Sequence, residues 1–183
     1  SPIVDFDASP HAAEGVTFLL LIDNSGSMYD TITGEPADAP EERRIHAARS
    51  AVEQFLDSLE NPLDQVALAS FNTRFRLHVE ATRNRGSVER GLQEIGEPDR
   101  DEAFTELYRA IELAAEELST VAGRKVLIVL SDGENFPFSV HREEPHPVYE
   151  QAVVEAEEAT SALREQGIGA FAINFATAGD PEL

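Results

Sequence analysis

Seven consecutive apolar or β-branched residues, Val16-Thr17-Phe18-Leu19-Leu20-Leu21-Ile22, run directly into Asp23-Asn24-Ser25-Gly26-Ser27-Met28. An unbroken apolar run of this length shows no alternation, so it reads as a strand covered on both faces. That requirement implies a parallel sheet with helices above and below it. Ligands of open parallel sheets gather beyond the carboxyl ends of the strands, where this polar turn begins. Asp23, Ser25 and Ser27 alternate along the turn and offer only oxygen, the donor set of a hard divalent cation such as Mg²⁺. Each residue taken singly also fits an ordinary helix cap or turn.

The rest of the chain follows the same alternation of strand and helix. Tyr29 to Glu42 holds Gly34, Pro36 and Pro40 and reads as a loop longer than most strand-to-helix connections. From Arg43 onward Ile45, Ala48, Val52, Phe55 and Leu59 fall on one helical face, and Asn61-Pro62 stops the pattern. Val66 to Phe71 reads as a second buried strand. Phe75, Leu77 and Val79 then alternate with Arg74, Arg76 and His78, the period of a half-exposed, antiparallel edge strand. Ser87 is placed to cap a short helix carrying Val88, Leu92 and Ile95, and Leu107, Ile111, Ala114 and Leu118 mark a longer one. Val126 to Leu130 predicts a third buried strand, ending in Ser131-Asp132-Gly133. Glu134 to Pro147 reads as a second long loop, Tyr149 to Gln166 as a helix with Gly167 after it, and Ile168 to Phe175 as the last strand. The expected fold class is α/β: a Rossmann-like three-layer sandwich with a mostly parallel central sheet, one antiparallel edge strand and helices on both faces. Residues 1–15 read as a lead-in or linker and 16–183 as one domain. Because the chain begins at Ser1 rather than Met, it is expected to be a processed or excised piece.

Two strands end in the same switch, Ile22 to Asp23 and Leu130 to Ser131-Asp132-Gly133. In a parallel sheet both ends lie on one edge, so Asp23 and Asp132 converge there. Thr105, at the start of a helix, is placed to lean over that edge.

Charge and missing motifs narrow the function. With 35 acidic residues against 14 basic ones the formal charge is −21, which disfavours nucleic acid and anionic membranes as partners. No apolar run approaches the ~20 residues of a membrane span. There are no cysteines, hence no disulfides and no thiolate metal site. Gly-x-Ser-x-Gly, the Gly-x-x-x-x-Gly-Lys phosphate loop and Gly-x-Gly-x-x-Gly are all absent. A haloacid-dehalogenase-like phosphatase would also put an Asp after its first strand. It needs a second Asp two residues on, where this chain has Ser25, and a Lys at the sheet edge, whereas Lys125 precedes its strand. His141, Glu143, Glu144 and His146 sit in the second long loop and read as solvated rather than metal-binding. Arg74, Arg76, Arg83, Arg85 and Arg90 form a basic stripe whose expected role is neutralising the chain's own acids.

Asp23-Asn24-Ser25-Gly26-Ser27-Met28 after a hydrophobic strand resembles the signature of von Willebrand factor A domains. The metal-ion-dependent adhesion site of that family uses Asp-x-Ser-x-Ser, a distant Thr and a distant Asp. The matching positions here are Asp23, Ser25, Ser27, Thr105 and Asp132. The order of elements from Val16 to Phe175 resembles the family fold as well. Two departures stand out. Glu102-Ala103-Phe104 leads into the threonine where the family often has glycine, and the family's usual final helix and strand have no counterpart, although Gly179-Asp180-Pro181 looks like the start of a further helix. The resemblance implies a metal site of those five residues, filled by Mg²⁺ first and by Mn²⁺ or Ca²⁺ as alternatives. It implies that an Asp or Glu of a partner protein completes the site, and that the domain is not an enzyme. It also leaves open a regulatory or scaffold subunit of a membrane-associated or ATPase-linked assembly with a weak or unused metal site. In either case the expected setting is an extracytoplasmic or membrane-anchored one in a bacterium, with no membrane insertion by this chain itself.

Overall fold

The computed structural model describes residues 14–151 and 153–176. Most of the N-terminal lead-in and the Gly179-Asp180-Pro181 segment lie outside the described residues. Five strands form one sheet in the order β3-β2-β1-β4-β5: β1 Val16–Asp23, β2 Gln65–Phe71, β3 Phe75–Thr82, β4 Arg124–Ser131 and β5 Gly169–Asn174. β1 is central and runs parallel to β2 on one side and to β4 on the other. β5 extends the parallel set beyond β4, and β3 closes the opposite edge antiparallel to β2. The alternating Phe75–Val79 segment is thus the antiparallel edge strand that its period predicts.

Period-two geometry explains why β1 is apolar throughout. Leu19 and Leu21 face one layer, where they meet α3 (Leu107–Ser119) through Leu107, Ala110, Ala114 and Leu118. Leu20 and Ile22 face the other, packing on Ile45, Ala48, Val52 and Leu56 of α1 (Arg44–Ser58) and on Val88 and Leu92 of α2 (Arg85–Glu94). All four leucine and isoleucine side chains are at most 1% exposed, so both layers are dry. Burial of that kind contributes about 1.5–3 kcal/mol per side chain. Among the described residues no helix is long and apolar enough to cross a membrane.

Four local expectations are corrected. α1 turns Leu56 fully inward, while Phe55 is half-buried and packs edge-on against Phe18 with ring centroids 5.1 Å apart. The cap of α2 is Asn84, whose Oδ1 accepts from the Ser87 backbone N–H; the Ser87 side chain does not cap it. The loop from Glu134 to Pro147 contains a short helix, α4 (Phe138–Arg142). The helix expected from Tyr149 begins only at Ala156, as α5 (Ala156–Glu165). Tyr149 is used instead as a clamp: its hydroxyl accepts from Phe75 N–H at 2.8 Å, and its ring stacks on His146. Those tertiary contacts hold Tyr149 out of the helix. At the far edge, Phe171 and Ile173 of β5 remain 64% and 42% exposed.

Candidate metal centre

Register brings the sequence-predicted residues to one edge. Asp23 pairs with Phe71 at the end of β2, and the preceding Ile22 pairs with Leu130, so the carboxyl ends of β1, β2 and β4 finish together. Loops from these ends are then tied by backbone bonds. Asn24 N–H donates to Phe71 O, Gly26 N–H to Ala103 O, Thr73 N–H to Glu102 O and Glu106 N–H to Asn72 O. Thr105 and Phe136 exchange both backbone bonds at 2.9 Å, which joins the threonine segment to the loop after β4. Through the 2.9 Å bond between Gly26 and Ala103, the threonine segment rides on the serine turn.

Asp23 is the pivot of that turn. It is wholly buried; its Oδ1 accepts from Ser25 N–H at 2.8 Å and its Oδ2 from Ser131 Oγ at 2.6 Å. Burial raises its carboxyl from the ordinary value of 3.8 to about 7; the Asp132 charge adds to the rise, and the serine hydrogen bonds oppose it. The turn itself runs Ser25 to a 3-10 turn over Gly26–Tyr29, which sets the Ser25 and Ser27 hydroxyls 3.3 Å apart. Ser25 and Thr105 are buried, and Ser27 is half-buried. On β4's side, Gly133 takes a φ of +86°, a left-handed conformation natural to glycine, and its N–H donates to Ser131 Oγ. That sharp turn lets Asp132 leave the strand while Ser131 stays on Asp23.

Asp132 is the least balanced member of the group. Oδ2 accepts from Arg44 Nη1 at 2.7 Å, whereas Oδ1 is buried and has no hydrogen-bond partner among the described residues. A buried acceptor without a donor is costly. A carboxylate oxygen left in that state fits a cation. The whole donor set fits as well: two carboxylates and three hydroxyls, all oxygen, at the end of a rigid sheet. The five residues would hold a hard divalent ion with position to spare, so Asp23, Ser25, Ser27, Thr105 and Asp132 are the candidate ligands.

Phe104, the departure beside Thr105, turns away into an aromatic cluster. It stacks on Phe136 at 5.8 Å and meets Phe138 edge-on at 5.1 Å, with the Arg142 guanidinium over its ring. The bulky side chain therefore braces the threonine segment from outside. The histidines of the second loop serve packing. His141 stacks on Phe136, and His146 Nδ1 accepts from Val148 and Tyr149 N–H. Among the described residues there is no group of three or more His, Cys, Asp and Glu arranged to hold a metal. In the basic stripe Arg74 and Arg76 both pair with Glu102, at 3.2 and 2.8 Å, which is the self-neutralisation the acidic composition suggests. Sequence reasoning missed Arg44. An arginine at the start of a helix looks like any other, and only the fold reveals that it reaches the carboxylate after β4.

Comparison with known proteins agrees with this fold. The profile of the von Willebrand factor type A domain matches residues 18–134, from within β1 to just past Asp132. Among solved structures, the chain is similar to an aerotolerance-related membrane protein from Bacteroides fragilis, with a TM-score of 0.66 and 20% identity over 92% of this chain and 76% of that one. It is similar to BatB from Bacteroides thetaiotaomicron, with a TM-score of 0.60 and 21% identity over 92% and 74%. A PilB minor pilin from Streptococcus sanguinis matches at 0.61 and 14% identity over 89% of this chain and 50% of the pilin. At these identities the likeness is one of fold. Among curated proteins none matches the sequence. The profile match spans well over half of the chain and contains all five candidate ligands, so the chain belongs to the von Willebrand factor type A domain family.

Proposed function

We propose that this domain is a metal-dependent protein-binding module rather than an enzyme. Asp23, Ser25, Ser27, Thr105 and Asp132 hold a divalent cation, Mg²⁺ before Mn²⁺ or Ca²⁺, and an Asp or Glu of a partner protein completes the site. The observation that carries this reading is the buried Oδ1 of Asp132, without a partner among the described residues, at the same sheet edge as the paired Ser25 and Ser27 hydroxyls. When bound, the cation supplies a positive centre for one more anionic oxygen. The chain's own residues do the rest: Asp23 fixes the turn, the serines and threonine donate neutral oxygens, and the two carboxylates leave the cation's charge just balanced. The acidic surface does not forbid an acidic partner, because exposed charges beyond about 8 Å are largely screened at physiological salt.

Domains of this family mediate protein–protein interaction, which supports the binding class over hydrolysis. Similarity to an aerotolerance-related membrane protein, to BatB and to a pilin supports an extracytoplasmic or membrane-anchored setting. One observation favours the second reading, a regulatory or scaffold subunit whose metal site is weak: Arg44 already neutralises one oxygen of Asp132.

Immobilised peptides that carry a single Glu or Asp, beside their Gln and Asn twins, separate the two. Retention of the acidic peptides in Mg²⁺, lost in EDTA and in Ser27→Ala, is the expected result. Equal retention of the amide twins, or retention that survives EDTA, would overturn the capture mechanism.

A further inference from the structure

Arg44 is a fixed member of the site's surroundings. It opens α1 at the end of the long loop after β1, where its own N–H donates to Asp30 O and the adjacent Arg43 bridges to Thr31. Its side chain is only 10% exposed, and Nη1 reaches Asp132 Oδ2 at 2.7 Å and Ser27 O at 3.4 Å. One guanidinium nitrogen therefore touches two of the five candidate ligand residues. Arg44 Nε is buried and lacks a partner among the described residues, so the side chain is held there despite an unsatisfied donor. A guanidinium stays charged under any condition in which the fold survives.

The two oxygens of Asp132 thus have different fates. Oδ2 belongs to Arg44, and the buried Oδ1 meets no donor among the described residues. We propose that Arg44 stays on Oδ2 when a divalent cation takes Oδ1, and that this tethered charge sets the balance of the site, lowering its affinity for the cation and raising its affinity for the partner's carboxylate. The inference rests on the metal-site reading above and adds a residue that reading does not contain.

Charge counting gives the direction. Once Asp23 is ionised, it and Asp132 bring two negative charges, and Arg44 returns one. A divalent cation then leaves the buried group one unit positive, which weakens the hold on the cation, while the same fixed charge attracts an incoming carboxylate that restores neutrality. Because fixed charges act pairwise, Arg44 changes cation affinity by the same factor whether or not the carboxylate is present. The mutual enhancement of cation and carboxylate is their own direct attraction, and it is reciprocal.

At about pH 8, where Asp23 is ionised, Mn²⁺ titration of chelator-treated wild type, Arg44→Gln and Arg44→Lys, each with and without acetate as the carboxylate probe, tests this. Without acetate, Arg44→Gln is expected to bind Mn²⁺ about tenfold tighter than wild type, and Arg44→Lys, which keeps the charge, within about threefold of it. Acetate should tighten Mn²⁺ binding by a similar factor in all three proteins, while the acetate concentration that half-saturates the Mn²⁺-loaded protein should be about tenfold higher in Arg44→Gln than in wild type. If Arg44→Gln unfolds in chelator, the acetate comparison is made on the Mn²⁺-loaded proteins. Arg44→Gln binding Mn²⁺ no tighter than wild type, or binding acetate as tightly as wild type when loaded with Mn²⁺, overturns the role given to Arg44 and leaves the metal site standing. Absence of Mn²⁺ binding in all three proteins, with or without acetate, overturns the metal site itself.

Discussion

In chelator at about pH 8, Asp23→Asn is expected to be more stable than wild type by up to about 4 kcal/mol, with the two proteins converging near pH 4. Asp23 is wholly buried, and burial lifts its carboxyl from 3.8 to about 7. Between these two values the native protein holds a proton that the unfolded chain has already released. Stability from this group is thus fully present below about pH 4 and is lost as pH rises through about 7. The shift of about three units corresponds to about 4 kcal/mol at ~1.4 kcal/mol per unit. Asparagine keeps the acceptor for Ser25 N–H and removes the charge, although Ser131 Oγ must turn to accept instead of donate. Urea unfolding of both proteins across this range checks it. Stability curves that stay parallel in pH would show that Asp23 is not held in the strained, buried state described. The same shift predicts that a divalent cation competes with a proton at Asp23, so affinity for it falls as the solution drops below about pH 7.

The second large effect concerns Gly26. A Cβ at this position would lie 3.3 Å from Ala103 Cβ and 3.6 Å from Ala103 O. A methyl is accommodated with a small shift, whereas a β-branched side chain drives the two segments apart. Those segments are the serine turn and the stretch leading into Thr105, held together by the Gly26–Ala103 backbone bond. Gly26→Ala is therefore expected to keep Mg²⁺ affinity within about threefold, while Gly26→Val lowers it about ten- to a hundredfold, the usual range for losing the support of a ligand. The strands beneath are untouched, so far-UV circular dichroism should hardly change. Equal Mg²⁺ affinity in Gly26→Val and wild type would show that Thr105 is positioned independently of the serine turn.

Much of this arrangement is legible in the sequence because it depends on local pattern. The Val16–Ile22 run demands cover on both faces and receives it from α1 and α2 on one side and from α3 on the other. The polar switches after Ile22 and Leu130 require only that β1 and β4 be parallel, and their register aligns the two ends. What escapes the sequence is what long-range contact decides. Tyr149 has a residue pattern compatible with helix, yet its hydroxyl is needed by Phe75 N–H, and the helix starts at Ala156. Ser87 looks like a cap, but Asn84 stands three residues earlier and offers its own oxygen to the Ser87 N–H. Arg44 carries no local signal at all, because its partner Asp132 lies across the sheet edge from the helix that holds it. Phe104 signals a departure from the family pattern in the sequence; the structure resolves it by an aromatic cluster that forms only when the loops after β4 fold back.

The central claim, a divalent cation held by Asp23 and its neighbours, is tested most directly by calorimetric titration of Mg²⁺ into chelator-treated wild type and Asp23→Ala at about pH 8, where Asp23 is ionised. A saturable one-site heat in wild type that is lost in Asp23→Ala is the predicted result. Indistinguishable heats from the two proteins would contradict it.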